Sequence, residues 1–219
     1  MMCYQTIRQW AILLLLIPAF GIATPAQSQS VTVYGSGGVG FPEGPDFGDF
    51  YDPGPEVMAG VGYALSSSIE VRALLHYSSF SFDTAQIDAT LIDPDLEVGA
   101  SGGDRRILGG TLGMRLNFTI PEIGVQPYIM GDVGGFRVDT EALIFENEIF
   151  DPEGNAIVES TEDETVTEPG VSFGVGLAIP ATSRFSVTLE PRYTIVMTTG
   201  NSLRYGSIRA GVSYQFGAL

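Results

Sequence analysis

Residues 185–196 read Phe-Ser-Val-Thr-Leu-Glu-Pro-Arg-Tyr-Thr-Ile-Val. Phe185, Val187, Leu189, Tyr193 and Ile195 fall on one parity, and Ser186, Thr188, Glu190, Arg192 and Thr194 on the other. A period of two is that of a β-strand, whose successive side chains point to opposite faces. Both charges lie on the face of small polar residues, and the large apolar face carries none.

The same pattern recurs on either side. Working outward, it predicts strands over Gly170–Ile179, Val125–Phe136, Arg106–Phe118, Ile69–Phe80, Glu56–Leu65 and Ser30–Phe41 before it, and Leu203–Phe216 after it. Each is close to the ~9–11 residues with which a tilted strand crosses a bilayer. The connections sort by length. Ser66–Ser68, Thr119–Gly124 and Pro180–Arg184 are tight turns, whereas Pro42–Pro55, Ser81–Arg105 and Arg137–Pro169 are long. Met197–Ser202 is short where a long one is expected. Alternation of short and long links is the signature of an up-and-down barrel with one end toward the periplasm and the other outside. Within the third link, Leu143–Phe150 and Ala156–Ser160 flank a turn, so a hairpin is predicted above the membrane.

Composition removes whole classes of function. The chain has 219 residues, with 26 acids against 10 Arg and no Lys. Residues 1–28 read as a removable export signal: Arg8, the apolar run Trp10–Ala23, and the small-x-small site Ala26-Gln27-Ser28. The remaining residues, 29–219, suit one domain, with nine arginines against 26 carboxylates and a formal charge of −17. Such a field repels phosphate backbones, so no nucleic-acid partner is expected. The single cysteine, Cys3, falls in the signal, which removes disulfides and thiol chemistry, and one histidine cannot build a Cys/His zinc site. No cofactor is expected. Of the 26 acids, 22 fall in or at the edges of the three long links. Asp93-Pro94-Asp95-Leu96-Glu97 and Thr161-Glu162-Asp163-Glu164 lack the glycine-centred spacing of an EF-hand, so no defined metal site is predicted.

The mid-strand charges decide which face meets what. Glu70, Arg72, Arg115, Asp132, Glu190, Arg192 and Arg209 all fall opposite the large apolar side chains. An arginine facing lipid at the midplane costs about 2–4 kcal/mol, so a lipid-exposed face excludes it. A soluble ligand-binding barrel of the periplasm, the other reading, inverts this arrangement. Gly60, Gly62, Gly113, Gly174, Gly176 and Gly211 also point inward, as a narrow eight-stranded lumen filled by side chains requires. The seven charges, buried together, must pair, and a salt-bridged network plugging the pore is predicted. Tyr63, Phe118, Phe185, Tyr214 and Phe216 gather at the short-turn end, with Phe41 and Tyr77 nearer the other, as interfacial girdles do. Arg106, Arg137 and Arg204 are predicted at the outer rim, at the level of lipopolysaccharide phosphates.

Across the mature chain this plan resembles the outer-membrane protein A-like β-barrel family of Gram-negative bacteria. In the last strand, Arg209, Gly211, Tyr214 and Phe216 are similar in spacing to the signal read by the barrel-assembly machinery. The resemblance implies an all-β, eight-stranded antiparallel transmembrane barrel in the bacterial outer membrane. It also implies lipid, lipopolysaccharide and the assembly machinery as partners, a monomeric state, and a structural or adhesive role without catalysis. No wall-anchoring domain is expected. His76-Tyr77-Ser78 resembles the His-x-Ser strand motif of outer-membrane lipid A deacylases, with Ser79 where that family favours asparagine and no acid at its spacing. His76 and Ser78 are therefore the catalytic candidates of an alternative hydrolase reading.

Overall fold

Alternation carries the predicted segments into a single closed sheet. The computed structural model describes residues 30–45, 47–83, 100–120, 124–145, 161–198 and 202–217. The predicted export signal and residues 146–160 lie outside these. The strands are β1 (Val31–Glu43), β2 (Gly54–Ala64), β3 (Ile69–Phe80), β4 (Ala100–Gly102), β5 (Arg105–Asn117), β6 (Gln126–Thr140), β7 (Leu143–Phe145), β8 (Glu164–Pro180), β9 (Phe185–Val196) and β10 (Leu203–Phe216). Eight of them close the barrel in the order β1-β10-β9-β8-β6-β5-β3-β2, each antiparallel to its neighbours. The first and last strands zip together from Val31 opposite Phe216 to Glu43 opposite Arg204, leaving no free edge.

Two of the short turns are closed by their own side chains. Ser66 Oγ accepts the Ile69 amide at 3.1 Å, and Thr182 Oγ accepts the Phe185 amide at 3.0 Å. At the other end the strands run further than periodicity predicted. β6 continues to Thr140 and β8 begins at Glu164, with Thr140 opposite Glu164, so Arg137–Thr140 and Glu164–Pro169 are strand rather than link. The reason is packing, because Val138 and Val166 continue the inward alternation and join a buried cluster. Most of the predicted hairpin, residues 146–160, lies outside the described residues, and Leu143–Phe145 pairs with Ala100–Gly102 of the preceding link. Leu143 also exchanges hydrogen bonds with Thr161, at 3.0 Å from its carbonyl and 2.9 Å from its amide.

The outward face is oily throughout. Leu75, Leu112 and Val133 are 64%, 63% and 62% exposed, and Val61, Leu108, Phe173, Leu189 and Ile208 belong to the same band. A water-soluble barrel cannot present such a wall, so the ligand-binding alternative is overturned. Inside, the lumen has three layers.

Candidate functional site

The middle layer is ionic. Arg72 reaches Asp132 at 3.4 Å and Glu190 at 3.7 Å, and Arg192 meets the same two carboxylates, Asp132 in direct contact and Glu190 at 3.7 Å. Arg209 pairs with Glu190 and, at 3.0 Å, with Glu56. Arg209 is fully buried and Glu56 is 1% exposed. Counted by sequence among the acids at the edge of the first long link, Glu56 lies in the lumen near the start of β2, facing Arg209. With it the lumen holds Glu56, Glu70, Asp132 and Glu190 against Arg72, Arg115, Arg192 and Arg209, and the charges balance. The signal was available, because Glu56 shares the parity of Met58, Gly60 and Gly62.

Glycines make room for this layer. A methyl group on Gly113 would meet the Asp132 carboxylate, and one on Gly176 the Tyr128 ring. Tyr128 in turn donates to Glu190 at 3.1 Å and carries the Arg115 guanidinium 3.8 Å from its ring centroid. Arg115 and Glu70, cross-strand partners on β5 and β3, stand apart from the central network. Tyr34 donates to Glu70, while Arg115 Nε donates to Asn117 at 2.6 Å.

His76 is the hinge between layers. Its Nδ1 lies 3.3 Å from an Arg209 nitrogen and its Nε2 3.0 Å from Thr111 Oγ1. A guanidinium has only protons to offer, so Nδ1 is the acceptor and Nε2 carries the hydrogen toward Thr111. Ser78 is fully buried on the same inward face, opposite Glu56 in register. Both imidazole nitrogens are thus engaged with groups other than Ser78, and both side chains face the lumen rather than acyl chains. A hydrolase relay needs histidine between serine and a carboxylate, and here an arginine occupies the carboxylate's place.

Above this layer the lumen is closed by apolar side chains. Phe80, Ile107, Phe136, Val138, Val196 and Tyr205 point in from the strands, and Phe47 and Tyr51 fold over them from the first long link. Arg105 lies 4.7 Å from the Tyr51 ring and 5.3 Å from that of Phe47. Burial raises the Tyr51 hydroxyl above its ordinary pKa, with Arg105 pulling the other way. Gly109 and Gly170 flank Phe136, where added methyls would come within 2.5 and 2.6 Å of its ring. This cap was not foreseen, since a pattern of apolar against polar cannot reveal aromatics on the polar face. At the opposite end a polar cavity of about 500 Å³ opens between the short turns, with Tyr34, Glu70 and Arg115 among its lining residues. Among the described residues no three metal-ligating side chains converge.

An oily outer wall around an ionic, capped lumen is the architecture of a bilayer-spanning barrel. The family model for the outer membrane protein beta-barrel domain matches residues 12–216. The chain belongs to that family. The outer-membrane barrel has no match among curated protein sequences. Among solved structures it is similar to Neisserial surface protein A, at 14% identity and TM-score 0.54, covering 87% of this chain and all of that one. It is also similar to a major outer membrane protein from Thermus thermophilus, at 12% identity and TM-score 0.52, with the same coverage. These likenesses show the fold.

The membrane frame gives the remaining predicted sites their setting. Tyr63, Phe118, Tyr214 and Phe216 are exposed at the short-turn end, and Phe41 and Tyr77 toward the other. At the outer rim Arg106 pairs with Glu141 at 2.5 Å and Arg137 with Asp139 at 3.0 Å, so two of the three rim arginines are already matched by carboxylates. The Thr165 hydroxyl and Arg137 hold the Asp139 carboxyl below the usual range. Arg204 lies opposite Glu43. In β10, Arg209 points inward, Gly211 lies against the β1 backbone, and Tyr214 and Phe216 face out with their ring centroids 4.7 Å apart.

Proposed function

We propose that this barrel is a non-enzymatic envelope protein that anchors in the outer membrane and presents its long acidic links to an extracellular partner of basic character. The supporting observation is the two-layer closure of the lumen, ionic at mid-depth and aromatic beneath the first long link. A barrel so filled offers solutes no open path, and the long acidic links at the outer end are what it presents to the cell's surroundings. The third link carries more acids than either of the other two, among them Glu162 and Asp163 beside the rim. Long-range fields of one sign steer a complementary surface and weaken with salt. Arg204, outside any ion pair among the described residues, supports a contact with lipopolysaccharide phosphate, and Arg209, Gly211, Tyr214 and Phe216 support engagement of the assembly machinery.

The test uses cells displaying the full chain against a variant with Glu146, Glu148, Asp151, Glu153, Glu159, Glu162 and Asp163 changed to the corresponding amides. We expect the wild type to retain a polylysine-coated surface in low salt and the variant to lose most of that retention. Equal retention would contradict the proposal. Mass spectrometry of lipid A from the same cells addresses catalysis: an acyl pattern that changes with wild type but not with Ser78→Ala would replace this reading with the hydrolase.

A further inference from the structure

We propose that the cavity at the short-turn end is a binding site for a small zwitterion, a molecule carrying a carboxylate and an ammonium group close together. The cavity, about 500 Å³, lies within the size range of small-molecule sites and opens to the periplasmic side. Two opposite charges stand at its inner end. Arg115 and Glu70 are each 6% exposed and are direct cross-strand partners, yet no ion pair joins them. Each is held from behind and left open in front. Arg115 is pinned by its Nε on Asn117 and by its plane over the Tyr128 ring, which leaves its terminal nitrogens without a partner among the described residues. That edge of a guanidinium is the one that takes a carboxylate with two parallel hydrogen bonds. Glu70 receives the Tyr34 hydroxyl on one oxygen, and its second oxygen has no partner among the described residues.

Buried charges persist where they are compensated, and here the protein supplies the compensation only in part. A simple anion would satisfy Arg115 but be repelled by Glu70, and a simple cation would meet the reverse. A zwitterion satisfies both, with its carboxylate on Arg115 and its ammonium on Glu70. The hydroxyls of Ser30, Thr32, Ser186 and Ser213 around the cavity fit a small polar molecule better than an apolar one. The proposal is independent of the outer links and of any partner they meet.

Glycine, acetate and methylammonium would be titrated into the full-length protein in detergent micelles, following the 15Nε resonance of Arg115. Glycine is expected to give a saturable shift, with acetate and methylammonium at least tenfold weaker. Arg115→Gln, followed by backbone amides of the lining residues, and Glu70→Gln should each weaken glycine at least tenfold, with heat-modifiable gel mobility reporting that each is folded. Gln126→Trp, which narrows the mouth and leaves both charges in place, should also weaken it, and it decides the matter if either charge variant fails to fold. No saturable shift in folded protein would overturn the proposal, as would acetate binding as tightly as glycine.

Discussion

Glu56 sits near the start of β2, where a carboxylate could equally have turned to water, and instead closes the charge balance of the lumen on Arg209. Removing one partner from a buried pair costs on the order of 3–5 kcal/mol, because the other charge is left in low dielectric. The two ends of this pair are not equivalent. Glu56 touches one arginine, whereas Arg209 serves Glu56, Glu190 and the His76 ring together. Arg209→Met should therefore destabilise the barrel more than Glu56→Gln, by at least ~1 kcal/mol in urea unfolding from lipid vesicles. Equal losses would show that Arg209 does not tie the three groups together.

Among the strands, glycines decide which large side chains the lumen can hold. Gly176 on β8 faces the Tyr128 ring of β6 with no room for a methyl group, while Gly131 on β6 faces outward with nothing near. Gly176→Ala must push Tyr128 off both Glu190 and Arg115, and overpacking of this kind costs about 1–3 kcal/mol. Gly131→Ala should stay within ~0.5 kcal/mol of wild type. Thermal unfolding read by the loss of the compact gel form distinguishes the two, and a Gly131→Ala loss matching that of Gly176→Ala would contradict the space argument. The inward glycines were visible in the sequence as a parity, since Gly174, Gly176 and Ser172 alternate with Val171, Phe173 and Val175. What each glycine accommodates was not, because Tyr128 and Phe136 come from a neighbouring strand whose register only the closed sheet sets. The same limit hid the cap: Phe80 and Tyr205 meet at 5.4 Å across the lumen, from strands far apart in the chain. Strand ends were misjudged for a related reason, as Val138 and Val166 are strand-like only once the cluster they complete is present.

For the whole molecule, one alternation organises three environments: an apolar wall for acyl chains outside, an ionic and aromatic filling within, and a polar cavity between the short turns. The segregation was legible because charge on a lipid face is too costly to tolerate, which leaves mid-strand charges only one direction in which to point. Which charges pair was not legible, since pairing depends on height in the barrel as well as on face. Glu70 and Arg115 were expected in the central network and instead stand below it, beside Tyr34 and Tyr128. The long links, by contrast, carry charge without a pattern that names their partner.

The mature chain has no cysteine once the predicted signal is removed, so single spin labels can be placed at will. Labels at Leu75 on the outer wall and at Ser213 in the cavity, in protein reconstituted into lipid vesicles, give the most direct measurement. The structure predicts that relaxation at Leu75 responds to dissolved oxygen and that at Ser213 to a water-soluble nickel chelate. A Leu75 label quenched by the nickel chelate, with a Ser213 label quenched by oxygen alone, would mean that the wall faces the other way.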